Sequence, residues 1–210
     1  MCAQPTAILF DLDGTLVDSL PCLLRSFRHA FETLGLPPPA DAEVRAHVSL
    51  PLEHRFARFA PGHVAPLCAA YRDHYPRVFA RECAIFPGVD KLLAGLRRRG
   101  YRLGIATTKR TPWAKRFVEA LGLAPHVDCV QGTDDFPHKP APDVLWRALA
   151  ALDCEGQWMV GDTASDVLAG QAAGLKTYAV CWDGQVSDDL AAAAPDELAP
   201  NLERLADLLA

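Results

Sequence analysis

Short apolar segments of strand length alternate with segments of helical periodicity through most of this 210-residue chain, and this alternation limits its possible folds most strongly. Strands are predicted at 7–10, 102–106, 126–130, 157–160 and 176–180. Helices are predicted at 89–99, 112–121, 142–152 and 164–173, with a closing helix near 201–209. Strands that alternate with helices pair in parallel through right-handed crossovers. We therefore predict an α/β fold with a doubly wound, Rossmann-like parallel sheet.

The region between residues 17 and 84 lacks any strand pattern, and a rigid break at 37–39 separates its first predicted helix from shorter ones. Its apolar residues recur at helical spacing in predicted helices at 21–34, 41–47, 51–59 and 64–81. Pro66 and Pro76 are expected to interrupt the last of these. We predict a small all-helical cap domain at 17–83, inserted into an α/β core formed by 1–16 and 84–210.

Composition and charge exclude several classes of protein. The net charge is -5, and the basic run 97–99 ends a predicted helix, where it complements the helix dipole, so a nucleic-acid partner is not expected. Residues 1–4 do not resemble a signal peptide, and no apolar run approaches the ~20 residues of a membrane span. Seven scattered cysteines without a Cys-x-x-Cys pair fit neither a zinc site nor a disulfide framework. We expect a soluble cytoplasmic monomer or homodimer without membrane partners.

Residues that bind ions or anions are concentrated at the predicted strand ends, where open α/β sheets place their ligands. They are Asp11 and Asp13 after the first strand, Thr107 and Thr108 after the second, Lys139 in the loop after the third, and Asp162 with Asp166 after the fourth. Two carboxylates ~4 Å apart repel by roughly 4 kcal/mol at an effective dielectric constant of ~20. The pair Asp11 and Asp13 therefore indicates a cation, a proton or a reaction that offsets this repulsion. Together the residues predict a site for a hard cation and an anion.

Each of these residues also has a purely structural interpretation. Asp13 could form an Asx-turn in which Gly14 supplies the positive φ angle. Thr107 could cap the next helix, and Asp162 could cap the helix that begins near residue 164. Lys139 could be an ordinary exposed lysine. The convergence at one sheet edge favours the functional interpretation, because every structural alternative would have to hold at once.

Four motifs carry a resemblance to a known family. They are Asp11-x-Asp13-Gly14-Thr15, the strand-terminal Thr107, Lys139 in His138-Lys139-Pro140-x-Pro142-Asp143, and Gly161-Asp162-x-x-x-Asp166. In order and spacing they resemble the motifs of the haloacid dehalogenase-like hydrolases over nearly the whole chain. The stretches 17–19, 132–137 and 172–174 resemble the phosphoglycolate phosphatase group within that superfamily. Thr108 departs from the pattern, since relatives often carry Asn there, and its contribution to phosphate binding is left open.

The resemblance implies a Mg²⁺-dependent phosphatase with an aspartyl-phosphate intermediate. Asp11 would be the nucleophile and Asp13 the general acid and base. Thr107, Thr108 and Lys139 would bind the phosphoryl group. The implied metal site consists of Asp11, the Asp13 backbone carbonyl, Asp162 and Asp166, of which Asp166 would orient metal-bound water.

The implied substrate is a small phosphorylated metabolite, a phosphomonoester similar to 2-phosphoglycolate. His47 and Arg55 flank the cap stretch 46–52 and are candidate contacts for it, although both could equally be solvated cap residues. A β-phosphoglucomutase-like phosphomutase is an alternative, but such mutases tend to carry Glu where this chain has Gly161. A pyrophosphatase is a further alternative, and a phosphate-binding scaffold module is the non-enzymatic one.

Overall fold

The structure is a computed structural model that describes residues 6–48 and 50–209. Contacts divide the chain into two compact units, which we name the sheet unit (Met1–Val17 with Ile85–Ala210) and the helical unit (Asp18–Ala84). These boundaries lie one residue from those expected from the sequence. A capping function for the helical unit stays a prediction. Ser49 of the predicted cap stretch lies outside the described residues.

Eight strands are described, and six of them form one parallel sheet. They are β1 (Thr6–Phe10), β2 (Val17–Asp18), β3 (Ala84–Ile85), β4 (Arg102–Thr107), β5 (Cys129–Gly132), β6 (Glu155–Gly161), β7 (Lys176–Val180) and β8 (Glu197–Ala199). The strand order of the large sheet is β5-β4-β1-β6-β7-β8, and β2 pairs with β3 separately. The order reverses direction around β1, so β4 and β6 flank it and all three end at the same edge. The predicted doubly wound α/β fold is confirmed.

Ten α-helices are described, four in the helical unit and six in the sheet unit. They are α1 (Leu20–Thr33), α2 (Asp41–Arg45), α3 (Leu52–Phe59), α4 (Val64–Glu82), α5 (Val89–Arg98), α6 (Thr111–Ala120), α7 (Asp143–Leu152), α8 (Ala164–Ala172), α9 (Asp188–Ala192) and α10 (Glu203–Leu208). In the sheet unit, α7 and α8 pack on the sheet around Leu9 and Met159. Side chains alternate along a strand, so the buried neighbours Ile8 and Phe10 face the opposite side. The central strand is therefore buried on both faces, which explains its continuous apolar sequence.

The helical unit has an aromatic core of its own. Phe27 of α1 and Phe56 of α3 stack with ring centroids 4.3 Å apart and an interplanar angle of 7°. Phe31 of α1 and Val44 of α2 are buried in the same cluster, together with Leu67 of α4. The apolar faces predicted from helical spacing therefore meet in one core.

The structure corrects several predicted elements. Helix α4 runs unbroken from Val64 to Glu82, so the expected interruptions at Pro66 and Pro76 were wrong. Pro66 lies in the first turn, where no intrahelical partner is needed for its nitrogen. Pro76 lies inside the helix, and we attribute its tolerance to the packing of α4 along α1.

The edges of the sheet also differ from the prediction. Strand β5 begins at Cys129 instead of at the predicted His126, which is the last residue of the 3₁₀ turn Ala124–His126. Helix α9 and strand β8 were not predicted at all, since three to five residues are too few to show a period. β8 is tied to β7 through Asp196, whose carboxylate accepts 2.8 Å hydrogen bonds from the backbone and hydroxyl of Thr177.

The structure also bears on the cysteines and on membrane spans. Cys22, Cys68, Cys129, Cys154 and Cys181 are free thiols, Cys83 is buried, and Cys2 lies outside the described residues. Burial raises the pKa of Cys68 above its ordinary value, which favours the neutral thiol. Across residues 6–48 and 50–209, no helix combines the length and the apolar character that crossing a bilayer would require.

Replacing Leu9 by alanine should destabilise the sheet unit by about 2–5 kcal/mol, because Leu9 is fully buried and its removal leaves a cavity. The matched control is Leu208→Ala, since Leu208 is 42% exposed and should contribute within about 0.5 kcal/mol. Urea denaturation followed by circular dichroism measures both. Equal losses for the two variants would contradict this account of the core.

Candidate active site

Three neighbouring strands bring the predicted site residues to one edge of the sheet. Asp11 directly follows β1, Thr107 is the last residue of β4, and Asp162 directly follows β6. The Asp11 backbone N–H donates to Val160 O at 2.8 Å, which continues the parallel pairing past the end of β1. The carboxylates are thereby fixed by sheet register rather than by a flexible loop.

Lys139 is the centre of this arrangement. Its ammonium donates to Asp11 Oδ1 at 2.6 Å, to Asp166 Oδ1 at 2.5 Å and to Ala106 O at 3.0 Å. Only 2% of its side chain is exposed, so the interpretation as an ordinary surface lysine is wrong. Burial works to lower the pKa of Lys139, but the attraction of Asp11 and Asp166 outweighs it and holds the pKa above its ordinary value.

The acidic side of the site is a compact cluster of Asp11, Asp162 and Asp166, with one carboxylate oxygen from each within 4.8 Å of the others. Burial raises the pKa of Asp11 to about 7, with Asp166 and Asp13 adding repulsion against the attraction of Lys139. Burial, followed by repulsion from Asp166 and Asp11, raises the pKa of Asp162 well above its ordinary value. With all three carboxylates ionised, the cluster and the Lys139 ammonium together carry two formal negative charges. This set of hard oxygen donors fits a divalent cation, whose charge would reverse the repulsion.

The turn after β1 places its backbone directly against Asp162. Gly14 has φ of +81°, and a Cβ atom there would lie 2.2 Å from Asp162 Oδ2. The next residue, Thr15, donates from Oγ1 to Asp162 Oδ1 at 2.8 Å, and its carbonyl accepts from Trp182 Nε1 at 3.1 Å. Thr15 belongs to the first motif, and its position after Gly14 was the available signal for this contact.

Asp166 has a second contact besides Lys139. Its Oδ2 accepts from Thr163 N at 3.0 Å and from Thr163 Oγ1 at 2.5 Å, which closes a capping box at the start of α8. Thr163 is the N-cap, so the alternative that Asp162 caps this helix was wrong. A Cβ on Gly161 would lie 2.2 Å from Asp166 Cβ, so glycine is needed for this close approach.

The two threonines after β4 have different surroundings. Thr107 is buried, and its Oγ1 accepts from Lys109 N at a long 3.4 Å. The N-cap of α6 is Arg110, so Thr107 does not cap that helix. Thr108 is exposed. Phosphate binding by either threonine stays a prediction.

Asp13 is paired with a residue that the sequence analysis did not include in the site. The Nζ atom of Lys109 contacts Asp13 Oδ2 at 2.5 Å. Lys109 lies two residues beyond the end of β4, and this placement at a strand end was the signal in the sequence.

His47 and Arg55 belong to the helical unit, where Arg55 has local contacts. Its guanidinium donates to His47 O at 3.1 Å, to Leu50 O at 2.9 Å and to Val48 O. Arg55 is 6% exposed, so its charge is used to hold the loop that precedes α3. The His47 ring accepts from Arg58 Nε at 2.9 Å. Substrate contact by His47 or Arg55 stays a prediction.

Comparison with known proteins decides the family. Residues 8–180 match a family model described as haloacid dehalogenase-like hydrolase. The chain belongs to this family. The resemblance seen in the four motifs is therefore confirmed, and hydrolase chemistry is the activity of the family as its name describes it.

Individual relatives are phosphatases by name. The chain is 37% identical over 199 residues to the probable phosphatase IndB of Dickeya dadantii, covering 90% of this chain and 86% of IndB. It is 31% identical over 205 residues to pyrophosphatase PpaX of Halalkalibacterium halodurans, covering 96% of this chain and 95% of PpaX. The fold is similar to that of a predicted phosphoglycolate phosphatase from Haemophilus somnus, with a TM-score of 0.88, 22% identity and full coverage of both chains. The first two relatives support phosphatase function, and the third supports the fold alone.

We expect Gly14→Ala to weaken divalent-metal binding at least tenfold, because the added Cβ displaces the Asp162 carboxylate. Gly184→Ala is the matched control, since Gly184 has φ of +72° but no atom within 4 Å of its Cβ position. Both variants bear the strain of a positive φ angle, but only the first disturbs the carboxylate cluster. Isothermal titration with Mg²⁺ measures the difference. Equal affinities in the two variants would show that the Gly14 contact is not needed for metal binding.

Proposed function

We propose that this protein is a Mg²⁺-dependent phosphatase that hydrolyses a small phosphomonoester through an aspartyl-phosphate. One observation carries the proposal: the Asp11 carboxylate lies at a sheet edge within a buried cluster of two further carboxylates and an ammonium. One group of contacts thus supplies a nucleophile, a cation that binds anions and a set of metal ligands. Membership of the hydrolase family and the phosphatase relatives support the same reaction.

The contacts of Asp11 suit nucleophilic attack on phosphorus. Lys139 holds Oδ1 at 2.6 Å, which orients the carboxylate and leaves Oδ2 as the attacking atom. Attack forms an Oδ2–P bond while the bond from phosphorus to the substrate oxygen breaks. The ammonium of Lys139 lies within reach of the transferring phosphoryl group, whose charge it would stabilise.

The metal ligands in this proposal are the carboxylates of Asp11 and Asp162 and the backbone carbonyl of Asp13, with Asp166 orienting metal-bound water. When bound, Mg²⁺ would supply positive charge next to the phosphoryl oxygens. Thr15 and Gly14 hold Asp162 in place for this purpose. Lys139 holds Asp166 in the same way.

Asp13 is the proposed general acid and base. It would give a proton to the leaving alcohol oxygen as the aspartyl-phosphate forms. It would then take a proton from the water that attacks the phosphorus and breaks the bond to Asp11. Asp13 lies two residues beyond the nucleophile on the same turn, so one rigid segment carries both groups.

Pyrophosphate hydrolysis is the second candidate function. It is favoured by the 31% identity to pyrophosphatase PpaX along nearly the whole of both chains. The same Asp11, Lys139 and carboxylate cluster would serve either substrate, because both present a terminal phosphoryl group. The two functions differ in the leaving group, and a direct comparison of substrates separates them.

Asp11→Asn should retain the fold and lose nearly all turnover, because an amide oxygen is a poor nucleophile toward phosphorus. Asp135→Asn is the matched control, since the Asp135 side chain is 93% exposed and should leave turnover unchanged. Turnover of p-nitrophenyl phosphate with Mg²⁺, and intact-protein mass spectrometry after acid quenching, would detect hydrolysis and the phosphoenzyme. Substantial activity in Asp11→Asn would rule out covalent catalysis by this residue.

Among phosphorylated metabolites we expect 2-phosphoglycolate to be hydrolysed with a kcat/KM at least tenfold above that of ethyl phosphate and of pyrophosphate. Tenfold corresponds to about 1.4 kcal/mol of transition-state discrimination. Ethyl phosphate is the matched control, because it keeps the alkyl phosphate and lacks the carboxylate. A flat profile or a pyrophosphate optimum, measured by phosphate release at fixed Mg²⁺, would reject this substrate.

A further inference from the structure

The ion pair between Lys109 and Asp13 is not part of the mechanism described above. Its two atoms, Lys109 Nζ and Asp13 Oδ2, are 2.5 Å apart, and the side chains are 19% and 29% exposed. Largely shielded pairs are screened by salt much less than surface pairs. The contact therefore constrains the orientation of Asp13 in solution.

The backbone around Lys109 is fixed by the end of β5. The Lys109 carbonyl accepts from Thr133 N at 2.9 Å, and Thr133 Oγ1 donates to Thr107 O at 3.1 Å. A Cβ on Gly132 would lie 2.2 Å from Lys109 O, so only glycine permits this approach. Hydrogen bonds from Thr133 therefore hold the loop after β4 at both neighbours of Thr108.

Asp134 holds the other end of this loop. Its carboxylate accepts from Thr111 N at 3.0 Å and from Thr111 Oγ1 at 2.7 Å. These hydrogen bonds hold the pKa of Asp134 below its usual range. The segment 132–134 therefore fixes both the start of α6 and the position of Lys109.

The side chain of Lys109 is also guided along its length. Its Nζ lies 5.1 Å from the ring centroid of Phe117 on α6, within the range of a cation–π contact. A lysine side chain loses considerable conformational entropy when it is ordered. The ring contact and the fixed backbone already restrict Lys109, so the ion pair has a smaller entropy loss to offset. Lys109 is therefore pre-arranged to reach Asp13.

We propose that Lys109 is a positioning residue for Asp13, holding Oδ2 so that Oδ1 exchanges the proton with the leaving alcohol and with water. This inference rests on the proposed phosphatase function. In the first step the proton moves from Asp13 to the alcohol oxygen as the phosphorus–oxygen bond breaks, and the remaining carboxylate is neutralised by the Lys109 ammonium. In the second step water gives its proton back to Asp13 as it attacks phosphorus. Because a carboxylate is planar, fixing one oxygen fixes the direction of the other.

The leaving group distinguishes this role from phosphate binding. An alkyl phosphate needs a proton on its leaving oxygen, so misplacing Asp13 strongly slows its hydrolysis. The p-nitrophenolate group leaves as a stable anion and needs little help from an acid. A residue that only bound phosphate would affect both substrates alike.

The test compares Lys109→Met, Lys109→Arg and Lys115→Met, the last removing an exposed lysine of α6 as the matched control. Each variant is assayed with p-nitrophenyl phosphate and with whichever alkyl phosphate the wild-type enzyme hydrolyses fastest. Lys109→Met should lower kcat for the alkyl phosphate by about 10²-fold, the size of a general-acid contribution, and change kcat for p-nitrophenyl phosphate much less. Lys109→Arg should recover part of the alkyl-to-aryl ratio, and Lys115→Met should keep the wild-type ratio.

Coupling to Asp13 is checked by the double variant Lys109→Met with Asp13→Asn. If Lys109 acts through Asp13, adding its substitution to Asp13→Asn should change the alkyl-phosphate rate little further. An equal loss on both substrates in Lys109→Met, or full additivity with Asp13→Asn, would overturn the inference while leaving the phosphatase function standing. A wild-type protein that hydrolyses neither substrate would overturn the proposed function and this inference together.

Discussion

A buried ammonium held between two carboxylates is the interaction on which the site depends. Lys139 joins Asp11 after β1 to Asp166 on α8, and Ala106 O completes its donors from β4. Removing a charge from water is costly unless partners satisfy it, so each member of this group requires the others. The pairing leaves an excess of negative charge at the cluster when its carboxylates are ionised, and a divalent cation would offset it. The burial of the ammonium and the proposed catalysis therefore require the same side chains.

Most of the sheet edge could be predicted from the sequence for a simple reason. Parallel strands have their carboxyl ends at the same edge, so placing Asp11, Thr107 and Asp162 at strand ends was enough to bring them together. The apolar run before Asp11 identified the buried central strand. The family resemblance added the roles, which contacts alone do not assign.

Other features could not be predicted because they depend on tertiary contacts. A proline inside a predicted helix normally ends it, yet Pro76 lies within α4. The hydrogen bonds of Arg55 to the carbonyls of a nearby loop could not be predicted either, and its contact with a substrate stays a prediction. The position of Lys109 after β4 indicates the sheet edge, but no local spacing of residues indicates its pairing with Asp13.

The separation of the site residues along the chain has a consequence for biosynthesis. Asp11 and its partner Lys139 are 128 residues apart, and Thr15 and Asp162 are 147 apart. At ribosomal rates of 5–20 residues per second, the residues that contact Asp11 are synthesised on the order of ten seconds after it. The helical unit is one continuous segment between these positions, so its contacts can form during that interval. Until residue 166 has been synthesised, Asp11 therefore lacks the ammonium and the carboxylates that it contacts in the folded chain.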